Sequence, residues 1–188
     1  EPEQYLQRIK EEIEKLKQNA YEKAPRIPVL PDKVTFQEIK KNINGISQIP
    51  LGIIEKNLKV ANYDFKKNFA TLITSKNMED AIQFTANIID ELKNIKNVDT
   101  IIFDAERSIS SKRIDLKDQY TAFITKLNKE NKNHTICIFI GIDKFLADYA
   151  NIGNNFNSVI KILEEKQNYS IIVVENANKM KIHEFEEW

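Results

Sequence analysis

Short, continuous apolar runs alternate with amphipathic stretches along the chain after residue 65. The runs are typical of strands buried on both faces, and the stretches between them repeat apolar residues at helical spacing. This alternation predicts an α/β domain, with a mostly parallel sheet and helices on both faces. The predicted strands are Phe69–Thr74, Thr100–Phe103, Thr135–Ile140 and Ser170–Val174, and the predicted helices are Met78–Ile95, Leu116–Glu130, Ile142–Tyr149, Phe156–Glu165 and a last one that starts at Lys181. A short hairpin is predicted ahead of them, with strands Ile49–Ile54 and Leu58–Phe65 joined by Glu55–Asn57.

The first 48 residues follow a different pattern. Apolar residues alternate steps of three and four, which predicts a helix with one narrow apolar seam, at Leu6, Ile9, Ile13, Leu16 and Ala20. The helix either packs on its own domain or connects to a preceding one. Three prolines then predict an extended linker, at Pro25, Pro28 and Pro31. We therefore expect an N-terminal helix and proline-rich linker over 1–48 and a compact domain over 49–188.

Composition narrows the classes of function. The 188 residues carry 28 Lys and Arg against 28 Asp and Glu, so no charge excess predicts binding to nucleic acid. Cys137 is the only cysteine, which excludes a disulfide or a four-cysteine zinc site within one chain and fits a reduced, cytosolic setting. No apolar run is long enough to span a membrane. Because the sequence starts without Met and ends within a helical pattern, we expect a piece of a longer protein.

The first strand-to-helix turn of the predicted sheet is the place where open α/β proteins commonly bind phosphate. A working phosphate loop reads G-x-x-x-x-G-K-[ST], and none of that pattern is present here. Lys76 comes too early in the turn, and Glu79 and Asp80 place negative charge where a phosphate would bind. The turn is therefore either a degenerate nucleotide site or an ordinary capped helix start, over Thr74, Ser75, Lys76, Asn77, Met78, Glu79 and Asp80.

The third strand of the predicted sheet ends without the acidic pair of a hydrolysing ATPase. Gly141 and Ile142 occupy the two positions that follow the apolar run, and Asp143 comes after them as a displaced ligand or a helix N-cap. Two alternatives stay open, which are a divergent ATPase that uses Lys76, Asp104 and Asp143 to bind and slowly hydrolyse ATP, and a purely structural or oligomerisation module. The two histidines stand singly and far apart, so no metal site is predicted.

An asparagine-rich stretch, Asn151–Asn155, is predicted to be a loop between two helices. Tyr149, Ile152 and Phe156 flank it or lie within it. Most such apolar residues belong to a core, but a polar loop between apolar anchors can also present a docking patch to a partner protein.

The order of these pieces resembles the FtsK/SpoIIIE class of ASCE ATPases and, within it, the C-terminal, third ATPase module of the EssC family of type VII secretion coupling proteins. The resemblance rests on Pro28–Pro31, on the I-P-L-G-I strand Ile49–Ile53 and on Lys67–Ile73, where the nucleotide strand of the family begins. It implies a RecA-like fold. In this family three such modules follow two transmembrane helices, and the last has lost much of its Walker motifs.

The resemblance also carries functional expectations. It implies a cytosolic module of a membrane-anchored secretion motor that does not hydrolyse ATP, holds ATP at most without turnover, and has no catalytic residue of its own. Its implied partners are secreted helical-hairpin proteins with a W-x-G turn and their partners, together with the neighbouring ATPase domains of the same chain. In the full protein the resemblance allows a hexamer.

Overall fold

The computed structural model describes residues 2–18, 29–40, 45–109, 115–127, 129–148 and 150–179, with the backbone alone at 148 and 150–155. The chain divides into two compact units, Glu1–Asp32 and Lys33–Trp188. The first unit contains helix α1, Pro2–Gln18, whose surface carries the ion pairs Lys15–Glu12 and Lys17–Glu14. The domain boundary predicted after residue 48 stays a prediction.

The second unit contains two sheets and five helices within the described ranges. In chain order its elements are α2 (Phe36–Ile39), β1 (Ile49–Ile53), β2 (Val60–Tyr63), β3 (Ala70–Ser75), α3 (Met78–Leu92), β4 (Val98–Asp104), α4 (Leu116–Leu127), β5 (His134–Ile140), α5 (Ile142–Asp148), α6 (Ala150–Glu165) and β6 (Tyr169–Asn176). None of the described helices is both long and apolar enough to cross a membrane.

The larger sheet has four parallel strands in the order β3-β6-β5-β4. From β3 the chain moves three strand positions to β4, past the places of β6 and β5, and then returns one strand at a time. Because crossovers between parallel strands are right-handed, opposite directions of travel put the helices on opposite faces. Accordingly, α3 covers one face, whereas α4, α5 and α6 cover the other. The predicted α/β fold with a parallel sheet between helices is confirmed.

The two faces have different cores. On the α3 face, mostly aliphatic residues of α3 pack against β5 and β6, with Ile88, Ile89 and Leu92 at most 2% exposed. On the opposite face, aromatic rings fill the space, with Phe103 and Phe139 stacked at 4.8 Å between centroids. The central strands β5 and β6 are buried on both faces, as their continuous apolar runs predict.

The predicted hairpin is present as the small antiparallel sheet β1-β2. Ile49 is fully buried in the core on the α3 face, and Leu51 and Tyr63 pack against that core. The Tyr63 and Thr71 hydroxyls are hydrogen-bonded, which joins the hairpin to β3. In the same region Lys40 pairs with the buried Glu91 carboxylate at 2.7 Å, which fixes α2 to α3.

One predicted element is wrong. The stretch Asn151–Asn155 is not a loop, because helix α6 already begins at Ala150. Phe156 is 1% exposed and packs edge-to-face against Phe139 at 5.3 Å, so it belongs to the core and not to a surface patch. The backbone of Ile152 lies in α6, and Tyr149 lies outside the described residues.

Candidate functional site

The carboxyl ends of β3, β4, β5 and β6 meet at one edge of the sheet, where ligands of open α/β proteins bind. The strand order places the end of β3 beside the end of β6, and the end of β5 between those of β6 and β4. The degenerate turn over Thr74–Asp80 and the segment Gly141–Asp143 therefore lie at the same edge of the sheet.

The turn between β3 and α3 is very short. β3 ends at Ser75 and α3 begins at Met78, so only Lys76 and Asn77 lie between strand and helix. A phosphate loop must wrap around its ligand, and its motif is several residues longer than this connection. The departure from the motif is therefore one of length as well as of glycine content. Thr74, Lys76 and Asn77 are exposed, and Met78 packs against the core on the α3 face.

The chain's own atoms accept hydrogen bonds from three of the amides at the start of α3, those of Asn77, Glu79 and Asp80. Asn77 is the N-cap, and its side-chain oxygen accepts a hydrogen bond from the Glu79 amide at 3.2 Å. The Ser75 hydroxyl accepts from the Asn77 amide at 3.2 Å, and the Asn77 carbonyl accepts from the Asp80 amide at 3.2 Å. Such amides are the groups that would otherwise face a phosphate. Here they form a capped helix start, one of the two interpretations that the sequence leaves open.

Strand β6 holds the other side of this turn. The Asn176 side-chain amide donates to the Lys76 carbonyl at 3.2 Å, and the Ala177 amide donates to the Ser75 carbonyl at 3.0 Å. The exposed Glu79 and Asp80 carboxylates in the first turn of α3 complement the positive end of the helix dipole themselves. An anion would meet negative charge and bonded amides here.

The turn between β5 and α5 has a different construction. Gly141 links the two elements directly, with a φ of +70° that side-chain-bearing residues rarely adopt. A Cβ placed on Gly141 would lie 2.8 Å from Cγ of Glu106, because that side chain packs over the glycine. The Lys144 ammonium lies 3.7 Å from the Glu106 carboxylate. Side chains of this chain thus occupy the space above the turn.

Ile142 and Asp143 begin α5. Ile142 is fully buried in the aromatic core, so it faces the protein interior and not the edge. The Asp143 amide donates to the Glu175 carboxylate at 3.3 Å, and the Asn176 amide donates to the same carboxylate at 2.8 Å. Glu175 is 4% exposed. The sequence gives little sign that Glu175 is buried and accepts these two backbone hydrogen bonds, since an acidic residue at a strand end is more often solvated.

Asp104 lies at the far side of the edge, at the end of β4. It is 5% exposed, and its carboxylate accepts hydrogen bonds from the Ser108 hydroxyl and the Ile109 amide. The strand order separates it from Lys76 by three inter-strand spacings, or about 14 Å. The structure does not bring Lys76 and Asp104 into one cluster. Within the described ranges, no group of three acidic, histidine or cysteine side chains is placed to hold a metal ion.

A groove of about 470 Å³ runs beside β3, between the hairpin and α3. Its walls are mostly apolar and include Leu51 and Tyr63 from the hairpin and Phe84 and Ile88 from α3. It reaches Ser75 and Asp80 at the carboxyl end of β3. Sequence reasoning missed this groove, because a strand that is buried on one side only reads much like any other apolar run.

Two groups with displaced pKa values, Cys137 and His134, lie away from this edge. Burial raises the pKa of the Cys137 thiol, which lies in the middle of β5. Burial, and to a lesser degree the nearby Lys66, lowers the pKa of His134 at the amino end of β5. The His134 ring lies 2.9 Å from the Ser170 hydroxyl. These shifts follow from packing and do not mark a catalytic group at the carboxyl edge.

No protein-family model matches the chain, and no curated protein matches it. A solved structure of the cytoplasmic domain of EssC is similar to it in fold, with a TM-score of 0.56 and 15% sequence identity. The similarity covers 93% of this chain but 41% of that one, so this chain spans about two fifths of the EssC structure. The structure of this chain has the fold of an EssC-like domain.

Proposed function

We propose that this chain is an ATPase-like module of a type VII secretion motor, which docks secreted proteins without hydrolysing ATP and couples to adjacent, active ATPase domains. The similarity in fold to the cytoplasmic domain of EssC supports a place in a secretion motor. In this proposal the module lies on the cytosolic side of a membrane-anchored protein. Its partners are secreted helical-hairpin proteins with a W-x-G turn.

The observation that carries the proposal is the closed turn between β3 and α3. Its two residues are too few to wrap a phosphate, and the side chains of Ser75 and Asn77 accept hydrogen bonds from the amides. The separation of Lys76 from Asp104 supports the absence of hydrolysis, because a phosphoryl-transfer site needs its cation and acids around one ligand. A module that keeps an ATPase fold but has neither a phosphate-binding turn nor a cluster of catalytic charges is suited to binding proteins.

Phosphate release from Mg-ATP and calorimetric titration with Mg-ATP test the first half of the proposal. We expect no phosphate release by the purified chain, and the same background for the variant Lys76→Ala. Turnover on the order of 1 s⁻¹ that Lys76→Ala abolishes would establish the divergent ATPase instead. Titration heat without turnover would assign ATP a structural role.

Co-purification tests the second half. A secreted helical-hairpin protein should be retained by the immobilised chain, and the same protein with the Trp and Gly of its W-x-G turn replaced serves as the matched control. Equal retention of both, or retention of neither, would contradict docking through the hairpin turn.

A further inference from the structure

One ion pair among the described residues differs from the others in the burial of its carboxylate. The Lys40 ammonium lies 2.7 Å from the Glu91 carboxylate, and the Glu91 side chain is 6% exposed. The acidic side chains of the other ion pairs in the described part of the chain are 22% to 71% exposed. The Lys40–Glu91 contact, here named the α2 ion pair because Lys40 directly follows α2, is therefore the pair in which the loss of one partner matters most.

Glu91 depends on Lys40 for the compensation of its charge. A carboxylate that is taken out of water loses solvation free energy, and burial is tolerated only where opposite charge or hydrogen-bond donors replace the water. Glu91 is the next-to-last residue of α3, where the helix dipole presents its negative end and adds to the cost. The Lys40 ammonium supplies both the opposite charge and a hydrogen bond. A buried Glu91 beside an uncharged residue 40 is therefore unfavourable.

Helix α2 is a small element with a small buried surface. It has four residues, of which Ile39 is buried. The hydrogen bonds between Thr35 and Glu38 are local and exposed. Elements with few buried contacts open at a lower free energy than the core of a domain. The next buried residue in the described chain is Ile46, so α2 can separate while Ile46 and the strands stay packed.

We propose that α2 is a conformational switch, which is held on α3 while Lys40 carries its charge and is released when that charge is neutralised. Release brings water to the Glu91 carboxylate and removes the cost of its burial. Because α2 lies near the start of the second unit, its release also lengthens the chain that links Asp32 to β1, by up to about 3.3 Å per residue. The inference does not rest on the proposed function.

Amide hydrogen exchange of the unmodified chain, followed by NMR, is the first experiment. The Glu38 and Lys40 amides donate to the Thr35 and Phe36 carbonyls, each at 3.1 Å. They should exchange more slowly than in an unstructured peptide and faster than the amides of β5. Unprotected α2 amides, or exchange of α2 only together with β5, would show that α2 is not a separately held element and would overturn the proposal.

Neutralisation of Lys40 is the second experiment. With Nε-acetyllysine at position 40, or in Lys40→Gln, the protection factors of the Glu38 and Lys40 amides should fall at least about tenfold, because a charge-assisted hydrogen bond is lost. Lys40→Arg keeps the charge and should keep the protection. The matched control is Lys93→Gln, which breaks the exposed Lys93–Asp90 pair of 2.8 Å at the end of the same helix and should leave α2 unchanged.

Two results of that experiment would contradict the switch. Protection of α2 in Lys40→Gln that equals protection in Lys93→Gln would show that the charge of Lys40 does not hold the helix. Loss of protection in β5 as well as in α2 would show that the release is not local.

The combination of Lys40→Gln with Glu91→Gln tests the physical cause. It removes the charge of both partners, so no unpaired carboxylate stays buried. The protection that Lys40→Gln loses should therefore largely return, although the ion pair is still absent. If the combined variant is as unprotected as Lys40→Gln, the uncompensated charge of Glu91 does not drive the release, and the proposal is wrong.

Discussion

The turn after β3 and the turn after β5 lie at the same edge of the sheet, yet they are closed by different means. After β3 the connection has ordinary backbone geometry and is closed by hydrogen bonds from its own amides to Ser75 and Asn77. After β5 the connection depends on a single glycine with positive φ, Gly141, over which the Glu106 side chain packs.

The comparison shows that both positions are filled and not simply vacant. In the first turn, small polar side chains take the amides that an anion would use. In the second, the Glu106 side chain covers the backbone at the position where hydrolysing ATPases with Walker motifs carry acidic ligands. The turn after β3 should tolerate substitution, because each of its hydrogen bonds contributes little by itself. The turn after β5 should not tolerate substitution, because it depends on the positive φ of a single glycine.

The largest expected effect is therefore that of Gly141→Ala. The left-handed backbone costs an alanine about 1–2 kcal/mol, and the contact with Glu106 adds to it, so we expect the free energy of unfolding to fall by about 2–4 kcal/mol. Chemical denaturation measures this. Gly52→Ala is the matched control, since a Cβ there meets nothing within 4 Å. Equal effects of the two substitutions would remove the distinction between the turns.

A double variant separates the two causes of the stability loss expected for Gly141→Ala, which are the positive φ and the contact with Glu106. Glu106→Ala in the Gly141→Ala background should restore the part of the loss due to the side-chain contact and leave the part due to φ. If the double variant is no more stable than Gly141→Ala alone, Glu106 does not fill the turn as described.

The next effect is that of Asn77→Ala, which removes the N-cap of α3. We expect a loss of about 1 kcal/mol in the free energy of unfolding, because the Glu79 amide loses its partner. Asn62→Ala, an exposed position of β2, should change stability by less than about 0.5 kcal/mol. A loss as large as that of Gly141→Ala would mean that the first turn is no more tolerant than the second.

A smaller effect should follow from Asn176→Asp. The substitution keeps the oxygen that accepts from the Asn178 amide and removes the amide that donates to the Lys76 carbonyl. We expect a loss of about 0.5–1 kcal/mol, measured by denaturation at pH 7. An unchanged stability would show that β6 does not hold the turn.

The smallest expected effect on stability is that of His134. This residue lies at the amino end of β5, away from both turns, and therefore serves as a control. Its pKa is lowered in the folded chain, mainly by burial, so the unfolded chain binds a proton more readily. The free energy of unfolding should therefore be level above the ordinary histidine pKa of about 6.5 and decrease as the pH falls below it. The variant His134→Gln should lose this decrease. Persistence of the full decrease in that variant would assign it to another group.

Much of this architecture could be predicted from the sequence, and the failures have physical causes. Continuous apolar runs identify β5 and β6, because strands buried on both faces favour apolar side chains at successive positions. The asparagines at 151–155 were predicted to form a loop, and helix α6 includes them because its apolar residues Val159, Ile160 and Leu163 fix it on the core.

The site was only partly predictable. The missing glycines at 75–77 and the absent acidic pair at 141–142 follow directly from residue identity. The length of the turn, the cover that Glu106 provides and the burial of Glu175 depend on where the strands end in space. The strand order of the sheet is likewise specified by no local pattern.

The central claim is that the turn after β3 is closed to nucleotide. Titration of the ¹⁵N-labelled chain with Mg-ATP to about 5 mM, observed at the amides of Asn77, Met78, Glu79 and Asp80, tests it most directly. The account predicts that these four resonances stay in place. Saturable shifts of the four amides together would contradict it.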